Sequence, residues 1–274
     1  MMEIGIVETR SIINLIAERY NYDFSDFALT SFKRRVERII EQNNLKHPDI
    51  LMNRLLENQG FVDSFIDQIN VPSSEMFRDP SLWRVLRDEI ITSMYRETGT
   101  GFKIWLPNSV SGDELFSLVI LLAEMDMLEK AQIIVSCMSD KSINTIKTGV
   151  FNDQKLEISA DNYIRSNGKY DLSKYYSSSH GQLVRDISLI QNVTFVKQNT
   201  FLDPAPQGIK LVLFRNKMIY FNQTLQTKVL KSIYNSVSVG GYLVIGTKES
   251  LHYLYGNNEF SLINSLESIY KRRF

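Results

Sequence analysis

What most constrains the fold of this chain is a change of texture at Gly101. Before it, every apolar pattern has a helical period. After it, short β-rich runs alternate with helical runs, the pattern of a parallel sheet with crossover helices. The strand candidates are residues 102–106, 132–137, 193–196, 209–214 and 242–245, with helical patterns at 113–127, 142–148 and 223–239. A closing pair at 259–263 and 268–273 has the form of an antiparallel edge hairpin. The stretch 152–186, rich in Tyr, Ser, Asn and Lys, reads as an irregular excursion with a short helix.

The front of the chain has a different logic. Ile12, Ile13, Leu15 and Ile16 fall on one helical stripe, and Phe32, Val36, Ile39 and Ile40 on another. A third helix starts at Pro48 or Asp49, and a fourth runs from Val62 to Ile69. Pro72 and Pro80 then bracket a polar segment that cannot continue a helix, followed by a helix from Ser81 to about Tyr95. The expected division is therefore a helical domain over 1–72, a linker and linking helix over 73–100, and an α/β domain over 101–274.

Composition narrows the function classes. Thirty-one Lys+Arg balance 31 Asp+Glu, so no global field draws the chain to nucleic acid or to an anionic membrane. The single cysteine, Cys137, excludes an internal disulfide framework, and His47, His180 and His252 have no metal-ligand spacing. No apolar run is long enough for a membrane span or a signal peptide. A cytoplasmic monomer with neither metal nor membrane insertion is the expectation.

In an open α/β sheet, ligands sit beyond the carboxyl ends of the strands. The residues found there are Asn108 to Glu114 after the first strand, Cys137-Met138-Ser139-Asp140 after the second, Asn199 after the third, Arg215-Asn216 after the fourth and Gly246-Thr247-Lys248-Glu249 after the fifth. The turn through Gly112 into a helix can present backbone N–H groups to an anion. Each residue also has a plainer reading. Arg78 suits an ion pair at the domain junction, Glu114 a first-turn acid favoured by the helix dipole, Tyr220 a core aromatic and Cys137 a buried strand-end thiol.

Six elements, in order, resemble the CheR-type chemotaxis receptor methyltransferases. The most specific is Arg215-Asn216-Lys217-Met218-Ile219-Tyr220-Phe221, similar to the family's Arg-Asn-x-x-Ile-Tyr-Phe signature. Glu75-Met76-Phe77-Arg78-Asp79-Pro80 resembles its linker motif, Gly112-Asp113-Glu114 its Gly-Glu-Glu, and Phe195 to Asn199 its Phe-x-x-x-Asn. Phe32-Lys33-Arg34-Arg35 and Ile269-Tyr270-Lys271-Arg272 also have counterparts. The resemblance implies a Rossmann-like methyltransferase domain, mostly parallel with an antiparallel edge hairpin, preceded by a small all-helical domain.

It further implies an S-adenosylmethionine pocket and methyl transfer to glutamate side chains of a chemoreceptor-type helical protein. In that reading Arg78 pairs with the methionine carboxylate and Glu114 with its ammonium group. Asn199 bonds near the adenine, Arg215 and Asn216 line the site, and Tyr220 sits beside the sulfonium methyl. Lys33, Arg34, Arg35 and Arg38 would face the acidic partner, though a basic stripe is also the ordinary pattern of a solvated helix face.

Several departures fall on the pocket. The family's ribose-binding acid aligns with Cys137, a poor acceptor. Pro107 and Asn108 stand where small residues are usual, and Pro72 and Ser74 replace Asn and Thr. Gly246-Thr247-Lys248-Glu249 replaces Gly-His-Ser-Glu, and Lys210 replaces an acid. The second expectation is accordingly a degenerate methyltransferase fold, its cofactor binding weakened or lost, acting as a signalling or binding module. Whether a receptor-tail-binding subdomain lies within 152–186 is left open.

Overall fold

A computed structural model describes residues 3–70, 75–179, 181–198, 203–251 and 259–274. Asn199, Pro72, Ser74, His180 and His252 lie outside the described residues. Four helices come first: α1 (Ile6–Tyr20), α2 (Leu29–Gln42), α3 (Pro48–Glu57) and α4 (Gln59–Ile69). Pro48 opens α3 at a position whose N–H needs no partner, and the Asn58 side chain caps α4 by accepting from the Phe61 N–H. The stripes read from the sequence point inward: Ile12, Ile16, Phe32, Val36 and Ile40 are fully buried.

A helix then runs from Pro80 to Thr98 as α5 (Pro80–Val85), a π-helical turn (Leu86–Ile91) and α6 (Thr92–Thr98). The main sheet draws on β1 (Phe102–Leu106), β2 (Ala131–Cys137), β6 (Thr194–Lys197), β7 (Ile209–Phe214), β8 (Val237–Ile245), β9 (Phe260–Asn264) and β10 (Ile269–Arg272). Helices α7 (Asp113–Glu124) and α8 (Asp140–Thr148) follow β1 and β2, and α10 (Gln223–Ser236) precedes β8. The strand order is β6-β2-β1-β7-β8-β10-β9; the first five are parallel and the last two form the antiparallel hairpin. Chain order reverses on either side of β1, which has β2 on one flank and β7 on the other. Such a switch point opens a crevice at the carboxyl edge.

Two stretches depart from the sequence reading. Residues 237–239, expected to extend a helix, open β8 instead. Val237 pairs with Ile209, the register slips, and pairing resumes at Leu211 with Tyr242, with Gly240 at φ 74° inside the irregularity. Segment 152–186 contains the expected short helix, α9 (Leu156–Arg165), but also two strands that were not expected, β4 (Tyr176–Ser179) and β5 (Gln182–Arg185). With β3 (Val150–Phe151) these strands form a second, antiparallel sheet ordered β3-β5-β4. Ser177, Ser178 and Ser179 are exposed, so β4 carries no apolar alternation by which it could have been recognised.

The helical layer has no separate core. One apolar cluster runs from Ile12, Phe32 and Phe65 through Trp105, Phe214 and Leu230. It therefore spans α1–α4 and the sheet face covered by α10. A second cluster packs α5, α6 and α7 on the opposite face. Tyr22 donates to the Met138 carbonyl at 2.6 Å, and the Asp67 carboxylate accepts from Ser139 and Ser142 at 2.5 Å each. The helical layer is thereby bound to the end of β2, next to the crevice.

Candidate functional site

The crevice holds a cavity of about 340 Å³, within the ordinary range for a small-molecule site. Its two ends differ in chemistry. One is charged and is formed by Glu75, Arg78, Asp79, Glu114 and Arg215; the other is formed by the amides Asn70 and Asn108 beside the end of β2.

The charged end begins with a turn before α5. Phe77 and Asp79 flank Arg78 with φ of 53° and 57°, a left-handed conformation that a bulky Phe seldom adopts. Burial of the ring secures it. Phe77 lies 5.5 Å from Trp83 and 5.0 Å from Tyr163, and its N–H donates to Ser117 Oγ at 2.8 Å. Arg78 is thus fixed at its backbone while its side chain stays 41% exposed, 3.8 Å from Glu75.

Arg215, at the end of β7, has only 5% of its side chain exposed and ties this end together. It pairs with Asp79 and, at 3.2 Å, with Glu114, and donates to the Arg78 carbonyl. Two carboxylates compensate its desolvation. Sequence reasoning selected Arg78, Glu114 and Arg215 but missed Asp79 as the partner of Arg215, although it stands inside the linker motif.

Asn216, Lys217, Ile219 and Tyr220 form one wall of the cavity through a turn held by Glu249. One oxygen accepts from the Asn216 and Gly246 N–H groups at 2.9 and 2.6 Å, the other from Met218 and Ile219 at 2.7 and 3.3 Å. A Cβ at Gly246 would stand 3.0 Å from the Asn216 nitrogen, so any side chain there would press on the turn. Glu249 was read as one residue of a tetrapeptide; its role as the anchor of the signature turn emerges only in three dimensions. Asn216 (φ 57°) and Tyr220 both line the cavity.

The basic stripe on α2 is divided. Arg34 and Arg38 are exposed, and Lys33 pairs with Glu3 at 3.0 Å and Glu37 at 3.7 Å. Arg35 does not share that surface. Its guanidinium stacks 3.9 Å above the Tyr220 ring and donates to the Ile69 carbonyl, and desolvation draws its pKa down from the ordinary arginine value. The Ala28 N–H holds Tyr220 from the backbone side at 2.9 Å. A one-residue step on a helix turns a side chain by about 100°, which separates Arg35 from Arg34.

At the amide end, Cys137 is wholly buried and does not line the cavity; burial pushes its thiol up to about 12. It cannot stand in for a ribose-binding carboxylate. Asp140 does not replace it either, because its side chain is 63% exposed and pairs with Lys197 at 2.7 Å. Asn108 occupies the space instead. It is 4% exposed with φ 49°, and it donates to Asn70 Oδ1 at 3.1 Å. Its own Oδ1 is buried with no hydrogen-bond partner among the described residues.

S-adenosylmethionine requires a cation for its carboxylate, an anion near its ammonium and an acceptor for its sugar hydroxyls. Arg78 and Glu114 provide the first two, so the residues at the charged end fit the group. Fold and site together define a Rossmann-like, S-adenosylmethionine-dependent methyltransferase with a helical N-terminal layer. More narrowly, the chain belongs to the CheR methyltransferase family: residues 8–69 match its all-alpha domain and residues 72–268 its S-adenosylmethionine-binding domain. Similar proteins include Cher3 of Pseudomonas putida, 30% identical over 97% of both chains. The chemotaxis protein methyltransferase Cher2 of the same organism is 23% identical, covering 80% of this chain and 81% of its own. Chemotaxis protein methyltransferase 1 of Pseudomonas aeruginosa is likewise 23% identical over 80% and 81%.

Proposed function

We propose that the chain methylates glutamate side chains on an acidic helical partner of the chemoreceptor type, in the cytoplasm. The observation that carries this reading is the cavity at the switch point, with Arg78 and the Arg215-centred ion pairs at one end and Tyr220 in its wall. S-adenosylmethionine supplies an electrophilic methyl group on a sulfonium. The acceptor is a glutamate carboxylate, with an ordinary pKa near 4.3, so it is already ionised at pH 7 and no general base is needed. One C–O bond forms, the C–S bond breaks with its electron pair going to sulfur, and no proton moves.

The chain's own contribution is alignment and exclusion of water. Arg78 orients a carboxylate group, Glu114 faces an ammonium, and Tyr220, clamped by Arg35 and Ala28, fixes one wall. The exposed Arg34 and Arg38 of α2 supply a basic surface for the partner. A second reading, a cofactor-free binding module on the same scaffold, is favoured by the absence of an acid at Cys137 and by the bulk of Asn108.

Calorimetric titration with S-adenosylhomocysteine separates the two readings. Micromolar binding, followed by transfer of a radiolabelled methyl group to a receptor fragment, is the expected result. Absence of binding by the unaltered protein, with binding regained in Asn108→Ala, would establish the second reading instead.

A further inference from the structure

The small sheet and α9 contribute no residue to the cavity wall, yet they hold the backbone on which its charged end is built. Two buried side chains make the connection. Arg185, the last residue of β5, has only 4% of its side chain exposed. Its guanidinium pairs with Asp113, the first residue of α7, and donates to the Ser111 carbonyl at 3.2 Å. These contacts straddle Gly112, at φ 76°, and the next residue along α7 is Glu114. The rings of Phe116 and Phe151, with centroids 5.0 and 4.6 Å from the guanidinium carbon, close around the pair.

Asn162, on α9, serves the other side of the charged end. Its amide donates to the Met76 carbonyl at 3.3 Å, while the Met76 N–H donates to Ser159 Oγ at 3.2 Å. Both backbone groups of Met76 are thereby fixed to α9, two residues before Arg78. Tyr163, the next residue of α9, carries the ring that packs on Phe77.

Stability alone is a weak account of Arg185. A guanidinium stripped of water recovers little net free energy from one carboxylate, and an apolar pair of similar volume holds two segments together about as well. Its Nε is, moreover, buried with no hydrogen-bond partner among the described residues. What the guanidinium adds is direction, because its planar fork fixes the Ser111 carbonyl and the Asp113 carboxylate relative to each other. The turn that delivers Glu114 is oriented by that fork.

We infer that Arg185 and Asn162 are positioning residues for the donor pocket: Arg185 sets Glu114, Asn162 sets Arg78, and the unit of β3, α9, β4 and β5 is the frame of a site whose wall it does not enter. The inference rests on the methyltransferase reading above.

The test is calorimetric titration with S-adenosylhomocysteine, read as both affinity and stoichiometry, with thermal melting of each form. Arg185→Met combined with Asp113→Asn removes both buried charges and should leave the fold intact. This pair should still bind one ligand per chain, roughly tenfold more weakly than the wild type. Arg185→Lys, which keeps the charge without the fork, and Asn162→Leu, of similar volume, should each weaken binding about threefold. In a Glu114→Gln background the paired change should have little further effect, since it acts through Glu114. A merely structural role would lower the melting temperature and the stoichiometry and leave the affinity of the folded fraction unmoved. That result overturns the inference, as does an effect of the pair that is undiminished in Glu114→Gln. If the pair does not fold, Arg185→Lys and Asn162→Leu carry the test, and wild-type affinity in both overturns the inference. In each of these cases the methyltransferase reading stands; failure of the unaltered protein to bind overturns both.

Discussion

The two ends of the cavity were assembled in different ways. The charged end is local to the α/β domain and its linking helix: Arg78, Asp79, Glu114 and Arg215 come from three short motifs and close on one another through ion pairs. The amide end is a junction between layers, where Asn70 of the helical layer meets Asn108 and Met138. A motif can specify the first, since its groups are mutually complementary charges. The second depends on how two layers dock, which no contiguous motif encodes.

The largest expected effect lies at the charged end. Arg215→Ala would strand two partly exposed carboxylates, and a loss of about 3 kcal/mol in urea denaturation is expected, together with loss of S-adenosylhomocysteine binding. A change under about 0.5 kcal/mol would mean that these pairs are as weak as surface ones and that the contrast between the ends is empty.

Next comes Arg35, which belongs to the cavity by geometry and to the docking stripe by sequence. Arg35→Ala should weaken S-adenosylhomocysteine binding about tenfold through loss of its stacking on Tyr220 and its bond to Ile69. Arg34→Ala and Arg38→Ala should leave that affinity unchanged and lower partner binding at low salt. Equal effects of all three on partner binding alone would restore the undivided stripe.

At the amide end, Asn108→Gly removes both the crowding and the left-handed strain, at the expense of one hydrogen bond to Asn70. Stability should change by less than about 1 kcal/mol, and ligand affinity should rise roughly threefold. A fall in affinity would show that the orphaned Asn108 oxygen holds the ligand and does not merely obstruct it.

The smallest effect concerns the bond between layers at Asp67, whose carboxyl burial raises above the usual range despite the opposing hydroxyls of Ser139 and Ser142. In the window between the unfolded and the raised folded pKa, the folded state holds more protons than the unfolded one. Stability attributable to this group is therefore greatest below the unfolded pKa, near 4, and falls as pH rises through the folded pKa. Asp67→Asn should flatten that part of the stability profile measured by urea titration. An unaltered slope would remove Asp67 from the account.

Helix periods and strand alternation were legible because each reports one buried face. Ile12, Phe32 and Val36 occupy the expected side, and β1 and β7 begin and end at the expected residues. The polar strand β4 was not legible, since Ser177 to Ser179 bury nothing that would impose a period. The early start of β8 depended on a bulge and on its pairing with Ile209. Arg78, Glu114, Arg215, Asn216 and Tyr220, all of which line the cavity, were named through motifs; the roles of Asp79, Glu249 and Asn70 were not, because each acts through a neighbour distant in sequence.

By itself the sequence determined the helical layer, the parallel sheet, the hairpin and the family's signature residues, all of which follow from local period or contiguous motif. Tertiary structure alone decided which of the basic residues faces Tyr220, which carboxylate anchors the signature turn, and that Cys137 is sealed away from the cavity. The physical reason is the same in each case. Burial and charge pairing depend on which segments meet, and those meetings join residues tens to hundreds of positions apart.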